Sequence, residues 1–223
     1  MKGRDMVKVA RVASVIIAAS LVLVAGDAGA WDKSEAKCRA TISKGLGKYV
    51  STAQKTIGGC HKNRDKNKIG AATQCNDIAV ADSAKKKVLA AANKFRGSVS
   101  GAKSKCKNKK SGNWYNGVLA NFGRCPSPAQ TSDNGGATDG IDDFTELADC
   151  LLALADQLVE STAVEIIGLP DVSALGKGQL KCHGSLPKAY MKYIDTVAKE
   201  RGKAQAGRDK SGGTAVWDQG SYD

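Results

Sequence analysis

Residues 35–55 read "EAKCRATISKGLGKYVSTAQK", and residues 179–199 read "QLKCHGSLPKAYMKYIDTVAK". With Cys182 set against Cys38, the two passages align without a gap. Lys44 meets Lys188, Lys48 meets Lys192, Tyr49 meets Tyr193, Thr52 meets Thr196, and Lys55 meets Lys199. A shared order of cysteine, lysines, tyrosine and threonine marks an internal repeat with a period of about 144 residues. That is too long for a solenoid unit and implies one whole module followed by the opening of a second.

The first copy carries a helical pattern. Ile42, Leu46, Tyr49, Val50, Ala53 and Ile57 recur at helical spacing between Ser34 and Gly58, and Gly58 with Gly59 predicts a stop. Gly45 and Gly47 each weaken this helix by about 1 kcal/mol relative to alanine. A second helix is expected with Asp82 as its N-cap and an apolar stripe of Val88, Ala92, Phe95, Val99, Ala102 and Cys106. If the two helices form an antiparallel hairpin, Cys38 comes beside Cys106, and Cys60 and Cys75 flank the connecting loop. Of the three pairings that four cysteines allow, Cys38–Cys106 with Cys60–Cys75 respects both the hairpin and the short Cα separation a disulfide needs.

Further along, a Gly-, Pro- and Ser-rich stretch precedes a third helix, expected from Asp142 or Asp143 to about Ile167. Leu147, Leu151, Leu154 and Leu158 form its buried stripe, and Cys125 in the preceding loop is the partner for Cys150. A fourth helix, from Ser185 to about Arg201, is the repeated one. Cys182 is left as a free thiol, because the incomplete copy holds no counterpart of Cys106. The fold class read from these patterns is all-α: a stapled helical hairpin with further amphipathic helices. Its basic hairpin occupies 31–112, the loop and acidic helix 113–176, the partial second repeat 177–201, and a disordered tail 202–223.

Lys2, Arg4, Lys8 and Arg11 precede the apolar run "VASVIIAASLVLVAG", and small residues stand at Ala28 and Ala30. This is the layout of a secretory signal peptide in 1–30 with cleavage after Ala30, so the chain is expected to be secreted or periplasmic, with no transmembrane segment after cleavage. Cleavage lowers the net charge from +12 to about +10 and leaves all seven cysteines. In an oxidising compartment such a count reads as a disulfide framework, each bridge contributing about 2–4 kcal/mol.

Charge is sorted along the chain. Basic runs such as "KNRDKNK" and "KSKCKNKK" fill the hairpin, whereas no Lys or Arg occurs from Cys125 to Gly176. On a helical wheel Lys44, Lys48 and Lys55 form a stripe that Lys188, Lys192 and Lys199 reproduce, and Asp142, Glu146, Asp149, Asp156 and Glu160 line one face of the third helix. Such stripes read first as solvated faces of amphipathic helices. As functional surfaces, the lysines would meet a polyanion (acidic polysaccharide, envelope lipid or extracellular nucleic acid), or opposite stripes would meet each other within or between chains.

Catalytic signals are absent from the sequence, and the expectation is a non-enzymatic chain without a cofactor. Both histidines directly follow a cysteine, in Cys60–His61 and Cys182–His183. Covalent haem attachment would need a further cysteine at Ile57 or Gln179. The alternative reading is a redox or haem-type protein that uses these Cys-His pairs. No compact zinc ligand set is present. "GGATDGIDDFTE" has Gly140 and Glu146 at calcium-loop spacing, but Gly135 and Ala137 stand where the first ligands belong. The plainer account of Asp143 and Glu146 is helix capping.

The Lys-Tyr helix, the cysteine-bounded hairpin and the acidic "DFTELADCLLALADQLVE" before another Cys-led start together resemble the uncharacterised exported cysteine-repeat helical proteins of environmental, deltaproteobacterial-type bacteria. The resemblance covers most of the chain from Cys38 to Lys199. It implies a secreted, disulfide-linked tandem helical module.

Overall fold

The computed structural model describes residues 33–119, 122, 141–168 and 176–211. Residues 1–32, which include the expected signal peptide, and Cys125 lie outside them. Six helices make up the described part: α1 (Lys33–Arg64), α2 (Ile78–Ala81), α3 (Lys87–Val99), α4 (Asn116–Leu119), α5 (Phe144–Ile167) and α6 (Lys177–Ser211). The all-α class holds, with an isolated antiparallel bridge between Lys107 and Trp114.

α1 organises the rest and packs against α3, α5 and α6. Its stripe of Cys38, Ile42, Leu46, Tyr49, Ala53 and Ile57 is buried, as the spacing requires. Gly45 is more than a weak point in this helix. A Cβ there would stand 2.8 Å from the Phe95 ring, so the missing side chain lets α3 lie close. Gly47 faces open space.

The predicted stop at Gly58–Gly59 is overturned: α1 continues for more than a turn, to Arg64. Cys60, His61 and Arg64 continue the buried stripe. Their tertiary contacts outweigh the low helix propensity of two glycines. The chain turns instead near Asn67, which takes a left-handed φ of 55°.

α3 begins at Lys87, later than expected, because Asp82 caps it from a distance. The buried Asp82 carboxylate accepts from the backbone N–H groups of Lys87, Val88 and Leu89 at 2.7, 2.9 and 3.1 Å. This satisfies first-turn donors that would otherwise be orphaned. α3 ends at Val99, so Ala102 and Cys106 lie beyond the helix that the stripe suggested. At Gly101 the chain folds so tightly that a Cβ would strike the Gly97 carbonyl at 2.4 Å. The Ser104 hydroxyl then donates to the Ser98 carbonyl and accepts from Cys106 N–H at 3.0 Å. Cys106 thereby reaches Cys38 with a Cα separation of 4.5 Å, while Cys60 and Cys75 are joined at 5.4 Å. One bridge closes each end of the α1–α3 hairpin.

α5 starts after Asp143, whose carboxylate accepts from Thr145 and Glu146 N–H at 2.6 and 2.8 Å. Phe144 stacks on Trp114, with ring centroids 5.2 Å apart. The buried stripe differs from the leucine stripe expected. Leu147 and Leu151 are buried beside Ala148, Leu152, Ala155 and Val159, whereas Leu154 and Leu158 lie half-buried on its flank. α1, α3 and α5 share one core.

α6 runs antiparallel to α1. His183 meets Asp65 just past the end of α1, and Pro187 lies against Gly58 further back along it. The helix is far longer than the expected Ser185–Arg201. It begins at Lys177, where the Gln179 side chain accepts from Gly176 N–H at 2.8 Å in the manner of a capping box. It carries Pro187 in its interior and extends to Ser211, so residues 202–211 are helical rather than disordered. Packing on the α1–α5 face holds the residues on both sides of the proline in helix despite the lost backbone donor.

Candidate functional site

The two Cys-His pairs, far apart in sequence, meet where the end of α1 faces the start of α6. Helical extension past Gly59 turns His61 and Arg64 inward, each 2% exposed. The guanidinium of Arg64 has no acceptor atom, so its Nη2 donates to His61 Nδ1 at 2.9 Å. His61 Nε2 then carries the proton and donates to Asn76 Oδ1 at 2.7 Å. Asn76 passes the direction on, its Nδ2 donating to the Gly168 carbonyl at 3.0 Å. Burial holds His61 neutral, pushing its pKa down to about 4, with the charges of Arg64 and His183 adding to the effect against the opposing Asn76 hydrogen bond.

His183 faces two acceptors. Its Nδ1 lies 3.1 Å from Asp65 Oδ2 and its Nε2 2.9 Å from the Ile167 carbonyl. The Asp65 carboxylate and the Ile167 carbonyl are both acceptors, so His183 is held between two groups that can each take a ring N–H. The His61 and His183 rings stand edge to face, their centroids 6.0 Å apart. All four ring nitrogens are therefore engaged with protein groups. An axial-ligand role for either histidine would require breaking these bonds.

Of the cysteines beside these histidines, Cys60 is bridged to Cys75 and Cys182 is an exposed free thiol. Cys150 is buried in α5 and disulfide-bonded, while its expected partner Cys125 falls outside the described residues.

The charged stripes have unequal fates. Lys44, Lys48 and Lys55 on α1 and Lys188, Lys192 and Lys199 on α6 are all exposed. The acidic stripe is only partly solvated: Asp142 is exposed, and Glu146, Asp149, Asp156 and Glu160 are half-buried. Asp149 Oδ1 accepts from Arg96 Nε at 2.5 Å, Asp156 accepts from the Tyr49 hydroxyl, and Glu160 accepts from Ile78 N–H at 2.9 Å. Burial raises the pKa of Asp156, with the Tyr49 hydrogen bond opposing, and burial together with Asp156 raises that of Tyr49. The lysine and acidic stripes do not pair with each other among the described residues; Asp149 pairs instead with Arg96 of α3. Among the described residues none of the six lysines is in an ion pair.

Arg64 and Asp65 stood in the sequence only as part of the basic run "KNRDKNK", and Asn76 carried no signal. Their part in the histidine cluster has no periodic signal, because it depends on α6 folding back. Among the described residues no group of three or more His, Cys, Asp or Glu side chains is arranged to hold a metal ion, and no helix is long and apolar enough to cross a membrane. No family model matches the chain, and no curated protein or solved structure is found to match it.

Proposed function

We propose that this chain is an exported, non-enzymatic helical module that binds polyanions through the lysine faces of α1 and α6. The observation that carries the reading is the unequal use of charge. Asp156 and Glu160 of α5 accept hydrogen bonds from Tyr49 and Ile78 and Asp149 pairs with Arg96, while Lys44, Lys48, Lys55, Lys188, Lys192 and Lys199 stay in solvent. In a chain of net charge +12, about +10 once residues 1–30 are removed, these lysines are exposed and make no ion pair among the described residues. The disulfides suit an oxidising compartment, in which acidic polysaccharide, anionic envelope lipid and released nucleic acid are the available polyanions.

The test uses duplex DNA as the probe polyanion, with affinity measured across a salt series. Binding should weaken steeply with salt, and changing Lys44, Lys48 and Lys55 together to Gln should lower the log–log slope by about 2–3 if all three touch phosphates. Acidic polysaccharide and anionic vesicles, run in parallel, rank the polymer classes. Absence of binding to any of them at low salt, or lysine variants that bind as the parent does, would refute the proposal.

A further inference from the structure

Lys44, Lys48 and Lys55 belong to a longer row. α1 runs without a break from Lys33 to Arg64, and at ~100° per residue Lys33, Lys37, Lys44, Lys48, Lys55 and Lys62 fall within about 60° of one another. All of them are exposed, and among the described residues none is in an ion pair. Lys62 joins the row only because the helix continues past Gly58 and Gly59. At about 1.5 Å per residue, the line of charge from Lys33 to Lys62 is about 44 Å long. No acidic side chain interrupts it: Glu35 lies on the opposite face of α1, and Asp65, just past its end, is turned to His183.

The surroundings of the row narrow the choice of partner. Ala40, Gly47 and Gly59 stand exposed beside the lysines, and a Cβ at either glycine would meet nothing, so a large partner can come close to the helix. None of the exposed large hydrophobic side chains, Val80, Leu89, Val164, Leu186 and Tyr193, belongs to α1, which leaves the row without an anchor for entering a membrane. Tyr49 is buried, so no aromatic ring is offered for stacking on unpaired bases. The lysines are point charges and lack the fork with which arginine reads a base edge. The row therefore suits a long, evenly charged partner met through charge alone. Duplex nucleic acid carries one charge per about 1.7 Å and stays stiff over about 50 nm. It can follow the whole row without the loss of chain entropy that a flexible polysaccharide suffers.

Resting on the polyanion reading above, we propose that the row is a track for the phosphate backbone of duplex nucleic acid, bound along the length of α1 without regard to base sequence. Lys33 and Lys62, at its two ends, are part of the site, and a duplex reaches both only when it is about 13 base pairs long.

The test measures binding of the full chain to capped duplexes of about 8 and about 16 base pairs, roughly 27 and 54 Å long, across a salt series. The shorter duplex spans Lys37 to Lys55 and the longer one spans the row. The log–log slope should be steeper on the longer duplex. Lys33→Gln combined with Lys62→Gln should lower that slope by about 2 and leave the slope on the shorter duplex nearly unchanged. Equal slopes on the two lengths, or an end variant that binds the longer duplex as the parent does, would overturn the track and leave the polyanion reading standing. Tighter binding of polygalacturonate or of phosphatidylglycerol vesicles than of duplex, at equal charge and salt, would likewise overturn the duplex as partner alone. Absence of binding to all of these probes at low salt would overturn both.

Discussion

His183 faces acceptors at both ring nitrogens, Asp65 and the Ile167 carbonyl, while His61, 6.0 Å away, faces a donor at one and an acceptor at the other. Two imidazoles side by side thus meet different hydrogen-bond partners.

For His61 the consequence is acid sensitivity. Its native pKa is lowered from 6.5 to about 4, so between these values the unfolded chain binds a proton that the native chain refuses. Its contribution to stability is complete above pH 6.5 and is lost as pH falls towards 4, by about 3 kcal/mol in all. Urea unfolding of the parent and of His61→Gln should differ by about 2–3 kcal/mol less at pH 4.5 than at pH 7. A pH-independent difference would contradict the buried neutral imidazole.

Removing the other imidazole should act on α6. His183→Ala removes the hydrogen bonds to the largely buried Asp65 carboxylate and to the Ile167 carbonyl, a loss of about 3 kcal/mol. Amide hydrogen exchange in residues 180–195 should accelerate by about a hundredfold, with α1 and α3 less affected. Uniform acceleration across all helices would show that α6 is not released separately.

The two described hairpin bridges should differ in worth. Cys38–Cys106 closes a separation of 68 residues and Cys60–Cys75 one of 15, which chain entropy values at about 4 and about 3 kcal/mol. Paired Cys→Ala variants compared by urea unfolding should keep that order. The reverse order would point to structure retained in the unfolded chain.

Gly45 and Gly47, two residues apart on α1, should respond with opposite signs. Gly47→Ala adds a methyl in open space and should stabilise by up to about 1 kcal/mol. Gly45→Ala forces Phe95 aside and should destabilise by about 1–2 kcal/mol after the propensity gain is subtracted. Thermal unfolding of both variants settles the comparison.

Local features were legible where one element carried the whole signal. The stripe from Cys38 to Ile57 and the Asp143 cap declare themselves through spacing and capping chemistry, which do not depend on distant residues. The ends of helices were less so. Gly58–Gly59 and Pro187 are breakers by propensity, yet each lies within a helix because burial of Cys60, His61 and Arg64, and docking of α6, outweigh about 1–3 kcal/mol of local preference. The acidic stripe of α5 was visible, but its direction was not: a helical wheel shows which residues share a face without showing what lies opposite it.

By itself, then, the sequence determined the helical class and the cysteines that an antiparallel hairpin can join, because these follow from periodicity and chain geometry. Only the tertiary structure decided that the two histidines meet, that Asp156 pairs with Tyr49, and that α6 packs on α1 and α5. Those contacts join residues with no fixed sequence offset. They arise only when separate helices exclude water between them, where each buried polar atom must find a partner.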